Sequence, residues 1–196
     1  MNINKLNNII TKIFSQQKKD TIELFKKLIL DKNFNLLCKE SIEAIKQNKK
    51  IIFFGNGGSA ADAQHLATEL TVRFKKNRRA LPSIALTTDT SAITAIGNDF
   101  GFEYIFSRQI EAVGNKGDVC VAITTSGNSI NLINGIKAAN KKKIKTFCFT
   151  GNNGGKIYKY VNRSIIIPSN ITANIQVAEI FVGQVYCEIL EEMFCS

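Results

Sequence analysis

His65 is the one histidine of the chain, and Glu69 follows it by four residues. On a helix that spacing sets both side chains on one face, where an imidazole and a carboxylate can share a metal ion or a proton. A lone histidine near a buried helix serves a structural role as readily, so the pair needs company before it counts as a site. Two stretches rich in small and hydroxyl-bearing residues could supply it. Gly55-Asn56-Gly57-Gly58-Ser59 carries glycines that let a backbone approach a ligand closely. Thr124-Thr125-Ser126-Gly127-Asn128-Ser129 offers four hydroxyls around a glycine, neutral donors that can surround a phosphate without a lysine. Each stretch also has a plainer reading as a strand-to-helix turn, with Ser59 or Ser129 as the helix N-cap. The first is neither a Gly-Lys-Ser/Thr phosphate loop nor a G-x-G-x-x-G fingerprint.

The elements that must position these residues follow from the hydropathy pattern. Apolar, β-leaning runs occur at Ile51 to Phe54, Ser83 to Leu86, Val119 to Ile123, Thr146 to Phe149 and Ser164 to Ile167. Polar or Gly-rich residues follow each run and, in most cases, a helical pattern comes next. This alternation predicts an α/β fold, a doubly wound, parallel five-stranded sheet with helices on both faces, because a parallel crossover needs a connecting element. Ligands of such sheets bind outside the carboxyl ends of the strands. Both candidate stretches fall there, and a helix beginning near Ala60 would aim its free N–H groups at the first. Residues 1–49 are helical in character, with Ile22, Phe25, Leu28 and Ile29 at three-to-four spacing. A long helix with an apolar face is expected from about Thr172 to Phe194. The 196 residues therefore read as one domain, 1–49 a helical segment and 50–196 a ligand-binding core.

A hydrophobic content of 44% is enough for a sizeable core without disulfides. Cys38, Cys120, Cys148, Cys187 and Cys195 are scattered, odd in number and without C-x-x-C spacing, which suits a reducing, cytoplasmic setting. No apolar run approaches the roughly 20 residues that span a bilayer, and the first residues lack the features of a signal peptide, so a soluble protein with no membrane association is expected. The net charge of +10 invites a nucleic-acid reading. Its lysines, however, stand in short groups beside helix ends and turns, with no aromatic series between them, so nucleic acid is not the expected partner. Attraction of anionic ligands is compatible with the same charge.

The runs GNGGSAADAQH, AIGNDFG and TTSGNS resemble the phosphoheptose isomerase family within the SIS sugar-isomerase fold, from about residue 50 through the last helix. The resemblance implies a homotetramer that interconverts D-sedoheptulose 7-phosphate and D-glycero-D-manno-heptose 7-phosphate, a step toward nucleotide-linked heptoses of bacterial surface polysaccharides such as lipopolysaccharide. It implies substrate contacts by Asn56, Gly57, Gly58, Ser59, Glu69, Asn98, Asp99, Thr124, Thr125, Ser126, Ser129 and Gln176, with Ser59 and the last hydroxyl positions around the phosphate. It further implies zinc held by His65, Glu69, Gln176 and position 184, with Glu69 and position 184 in proton transfer. Here the chain departs from the family. The usual run on the last helix is approximately Arg-Ile-Gln-Glu, with a histidine eight residues after the Gln; this chain has Asn174-Ile175-Gln176-Val177, and Gln184 at the histidine position. An amide does not titrate near neutrality and cannot act as a general acid or base. Non-catalytic SIS relatives that bind the bacterial replication initiator also lack that histidine and form an alternative reading, whereas Gly58 and the run GNDFG match the enzymes better. A sugar-phosphate-sensing regulatory domain is a third class, with no DNA-binding helix-turn-helix evident to support it.

Overall fold

The computed structural model describes residues 3–195. Its amino-terminal part is two helices, α1 (Ile3–Lys27) and α2 (Lys32–Lys46). Asp31 explains the break: its carboxylate accepts hydrogen bonds from the backbone N–H of Asn33 and Phe34, satisfying donors that the first turn of α2 leaves free.

Five parallel strands follow, β1 (Ile51–Gly55), β2 (Ser83–Ala85), β3 (Val119–Thr124), β4 (Lys145–Gly151) and β5 (Arg163–Ile167), as the hydropathy pattern predicts. Their order in the sheet is β2-β1-β3-β4-β5. Every residue of β1 and β3 is buried, the continuous apolar run that a sheet covered on both faces requires. Phe53, Val121 and Phe149 point into one layer, packed with α2, α3 (Gly58–Thr71) and α7 (Thr172–Phe194). Ile52, Phe54, Cys120 and Ala122 point into the other, packed with α5 (Ile105–Val113) and α6 (Ile130–Lys141).

The strand order reverses between β1 and β3, so their carboxyl ends flank the crevice where doubly wound sheets bind ligands. Both candidate loops leave the sheet at this point. α3 and α7 run side by side beneath it. Gly183 packs against the side chain of Leu66, and the Cys187 thiol reaches the Leu66 carbonyl at 3.8 Å. Between β2 and β3, α4 (Thr90–Asp99) is capped by the Asp89 carboxylate and has no buried residue at all. Apolar side chains of α1, including Ile10, Ile13 and Phe14, are likewise exposed. Among the described residues no helix is long and apolar enough to cross a membrane.

Two details of the helix starts differ from expectation. α3 begins at Gly58 rather than near Ala60, with Gly57 and not Ser59 at the cap. Gly57 has φ 57°, a left-handed value that glycine adopts without strain, and this lets the chain turn two residues earlier. Ser129 does occupy the cap position of α6, but its side chain makes no capping bond.

Candidate active site

At the end of β1 the backbone turns tightly against its neighbours. A Cβ on Gly55 would lie 2.6 Å from the Ser59 carbonyl oxygen and 2.9 Å from that of Ile123, so only glycine fits between the two strands and the new helix. A Cβ on Gly58 would collide with the Gln176 amide nitrogen. Gln176, from the first turns of α7, therefore lies directly over the start of α3. Asn56 is tied sideways to α6: its amide donates to Asn131 Oδ1 at 3.0 Å and accepts from Asn131 Nδ2 at 2.8 Å. Ser59, 3% exposed, lies inside the first turn of α3.

The second loop is folded so that two of its hydroxyl oxygens accept bonds from its own backbone. Thr124 Oγ1 accepts from the Gly127 N–H, and Ser126 Oγ accepts from the Asn128 N–H, both at 3.2 Å. A hydroxyl that accepts from the protein keeps its own proton to donate, which is the polarity an anionic ligand needs. Thr124 is buried, Thr125 and Ser129 are half-buried, and Ser126 is exposed.

A third loop, Gly151 to Gly155 at the end of β4, was not singled out from the sequence, although Gly-Asn-Asn-Gly-Gly after an apolar run is the same signal that marked the first. It braces the second loop. The Gly151 N–H donates to the Thr125 carbonyl at 3.2 Å, the Ile157 N–H donates to the Gly127 carbonyl at 2.8 Å, and the Lys156 N–H donates to Asn128 Oδ1 at 3.1 Å. Gly127 and Gly154 approach so closely that a side chain on Gly127 would strike the Gly154 carbonyl.

His65 and Glu69 meet as their spacing predicts, with Nε2 and Oε1 3.0 Å apart on the outer face of α3. They line a shallow depression with Ala61, Gln64 and Thr68. Gln184, half-buried on α7, is bracketed in sequence by Gly183 and Cys187, both of which touch Leu66, the residue beside His65. Asn98 and Asp99 stand on the exposed end of α4, and the Asn98 amide donates to Asp99 Oδ1 at 2.8 Å. One further acid lies under the first loop. Glu179 of α7 is fully buried with no well-formed hydrogen bond to either oxygen. Burial first, and the nearby Asp62 charge second, push its carboxyl up to about 9, against a smaller opposing effect of the Ser59 hydroxyl.

The SIS domain family model matches residues 4–151 of this chain, from α1 to the end of β4. Over 153 residues the chain is 56% identical to the phosphoheptose isomerase of Aquifex aeolicus, covering 78% of this chain and 80% of that protein. The chain belongs to the SIS-domain phosphoheptose isomerase family. Another member, from Sulfurimonas denitrificans, is 43% identical over 187 residues, which takes in 92% of this chain and 95% of that one. Likeness to the family extends to the solved structures. The phosphoheptose isomerase from Neisseria gonorrhoeae superposes with a TM-score of 0.83 at 38% identity, covering 95% of this chain and 99% of that one. The one from Francisella tularensis superposes with a TM-score of 0.86 at 32% identity.

The donor set for a metal is thin. Among the described residues no three His, Cys, Asp or Glu side chains converge. His65 and Glu69 supply one imidazole and one carboxylate; the Gln176 amide lies over Gly58 at the start of the same helix, and Gln184 on α7 could offer only another neutral amide. Such a set fits a loosely held ion better than a closed tetrahedral zinc centre built from four strong donors.

Proposed function

We propose that this protein interconverts D-sedoheptulose 7-phosphate and D-glycero-D-manno-heptose 7-phosphate. What carries this reading is the loop Thr124 to Ser129, in which the Thr124 and Ser126 hydroxyl oxygens accept from backbone and keep their protons for a phosphate, at the end of the strand beside the one whose glycine turn Gln176 covers. Its neutral donors suit a sugar phosphate, and its place at the sheet's switch point suits a small ligand.

Aldose–ketose isomerisation moves a proton between adjacent carbons through an enediol, so it needs a base and a group that steadies developing negative charge. Glu69 takes the role of base, and its hydrogen bond to His65 fixes the carboxylate on the helix face. Asn56, with Asn98 and Asp99, is assigned to the sugar hydroxyls, and Ser59 to the phosphate end. His65, Glu69 and the Gln176 amide are the residues that would hold zinc, with Gln184 at most a weak fourth. When bound, the ion would polarise the sugar carbonyl. Gln184 moves no proton, so turnover below that of relatives with histidine is expected.

The exposed apolar side of α1 and the unburied α4 support assembly with further copies, a homotetramer being the proposed state, working in the cytoplasm. The missing histidine is the feature that favours a non-catalytic protein binding the replication initiator. Assaying purified protein for conversion of sedoheptulose 7-phosphate, with and without added zinc, separates these readings. Turnover in either condition supports the isomerase. No conversion in both, by a folded protein, overturns it.

A further inference from the structure

We infer that Asn131 is a positioning residue of this site: it fixes which way the Asn56 amide faces and ties the first ligand loop to the second. Nothing in the resemblance assigns it a role, and the inference deepens the isomerase reading, on which its catalytic consequence rests.

The argument starts from a backbone donor. Early in a helix the N–H groups lack partners within the helix, and that of Leu132 finds one in Asn131 Oδ1 at 3.0 Å. This settles the orientation of the Asn131 amide, because only its oxygen can face an N–H. Its nitrogen must then point the other way, and there it donates to Asn56 Oδ1 at 2.8 Å. The Asn56 amide is left with one arrangement, nitrogen toward Asn131 Oδ1 at 3.0 Å and oxygen toward Asn131 Nδ2. A chain of defined polarity thus runs from the backbone of α6 to a side chain of the loop after β1. Asn131 is 2% exposed, so water cannot readily substitute for either partner.

The pairing leaves Asn56 one N–H and one lone pair uncommitted, and Asn56 is half-buried rather than enclosed. Those two free valences have fixed positions for a ligand only while Asn131 holds the amide. A hydroxyl-rich sugar distinguishes donor from acceptor, so a freely turning Asn56 would offer the wrong group part of the time. The pair also spans the crevice. Asn56 follows β1, Asn131 lies one residue into α6, and α6 begins where the loop Thr124 to Ser129 ends. Sugar end and phosphate end are thereby set at a constant separation before a ligand arrives, which is how pre-organised sites limit the ordering cost of binding.

A double-mutant cycle tests this. Asn56→Ala, Asn131→Ala and the double variant are compared with wild type for KM and kcat on sedoheptulose 7-phosphate, with Tm measured on each. Asn131→Ala is expected to raise KM about tenfold and to have no further effect in the Asn56→Ala background, since it acts through that amide. Asn131→Asp keeps the acceptor for the Leu132 N–H, and so the start of α6, but opposes a carboxylate oxygen to Asn56 Oδ1. It should raise KM at least as much as Asn131→Ala does, with a lowered Tm because a buried carboxylate then faces an acceptor. Effects on KM that multiply in the double variant, or an unchanged KM in Asn131→Ala, overturn the inference. Amide hydrogen exchange of the free protein gives a readout independent of the substrate: Asn131→Ala should speed exchange at Ala60 and Ala61, whose N–H groups bond to the Gly57 carbonyl, as well as at Leu132. Faster exchange at Leu132 alone would also overturn it. If wild type fails to convert the sugar, the isomerase reading falls, and the exchange result still decides whether Asn131 couples the loops.

Discussion

Glu191, near the end of α7, stands 3.5 Å from the Nε of Arg78, and both side chains are almost fully buried. The carboxylate also accepts the backbone N–H groups of Phe74, Lys75 and Lys76 at 2.7 to 2.9 Å. Burial alone would raise its pKa, but these three bonds, with the Arg78 charge, outweigh it and hold the carboxyl below its ordinary value. Arg78 in turn donates to the carbonyls of Glu69 and Leu70 at the end of α3, where a cation complements the helix dipole. The helix that carries the proposed base is thus clamped from behind.

Glu191→Ala should therefore cost about 3–5 kcal/mol of stability, the usual penalty for stranding a buried charge. Urea unfolding at pH 7 measures it. A loss below 1 kcal/mol would mean that Arg78 finds water or another acceptor and that the clamp is not needed. Because the folded pKa is lowered, the Glu191 contribution is complete above the ordinary carboxyl range and is lost as pH falls through the folded value.

Glu179 has the opposite sign. Its folded value of about 9 lies above the ordinary 4.5, so the native state keeps a proton that the unfolded chain releases between those values. Stability should fall as pH rises across that window and level off above about 9. Glu179→Gln removes the penalty, so the expected gain is absent near pH 4, grows with pH and is largest above about pH 9. A mutant whose stability profile parallels wild type from pH 5 to 9 would show that Glu179 is ionised in the fold.

The five parallel strands and the place of both loops after them were legible because each rests on a local pattern: an apolar run, then glycines or hydroxyls. The long-range pairings were not. Asn131 reads as one more polar residue in a helix, and only the return of β3 beside β1 brings it to Asn56. Glu179 reads as the polar side of an amphipathic helix, yet α7 is buried along most of its length and turns that position inward. Ser59 reads as a cap because a serine before a helix usually is one, but the left-handed Gly57 moves the start of the helix ahead of it. Spacing alone does place His65 against Glu69, since the contact lies within one helix.

Ser126 is exposed at the tip of the second loop, with its hydroxyl oxygen occupied by the Asn128 N–H and its proton free. Ser126→Ala should weaken sugar-phosphate binding by about 1.5–3 kcal/mol, the worth of a hydrogen bond to a charged group, with little change in Tm. Calorimetric titration that finds the affinity unchanged would take this loop out of the phosphate site.

Gln184 offers the sharpest test, because its position on α7 lies between two residues that touch Leu66, next to His65. On the proposed assignment, Gln184→His would add a titrating imidazole beside the pair formed by His65 and Glu69. General acid–base assistance contributes typically about 10²–10⁴-fold, so even partial recovery should appear as a rise in kcat, accompanied by tighter zinc binding. Half-buried surroundings leave room for the ring, whose volume is close to that of the amide it replaces. A rise in kcat that titrates near the histidine range, about pH 6 to 7, would tie the gain to the new imidazole rather than to a shift in packing. High wild-type turnover that the mutant does not exceed would show that proton transfer here never needed a group at position 184, and Glu69 with His65 would then have to carry it alone. Inactivity in both proteins, each folded, would instead leave a fold that binds without catalysing.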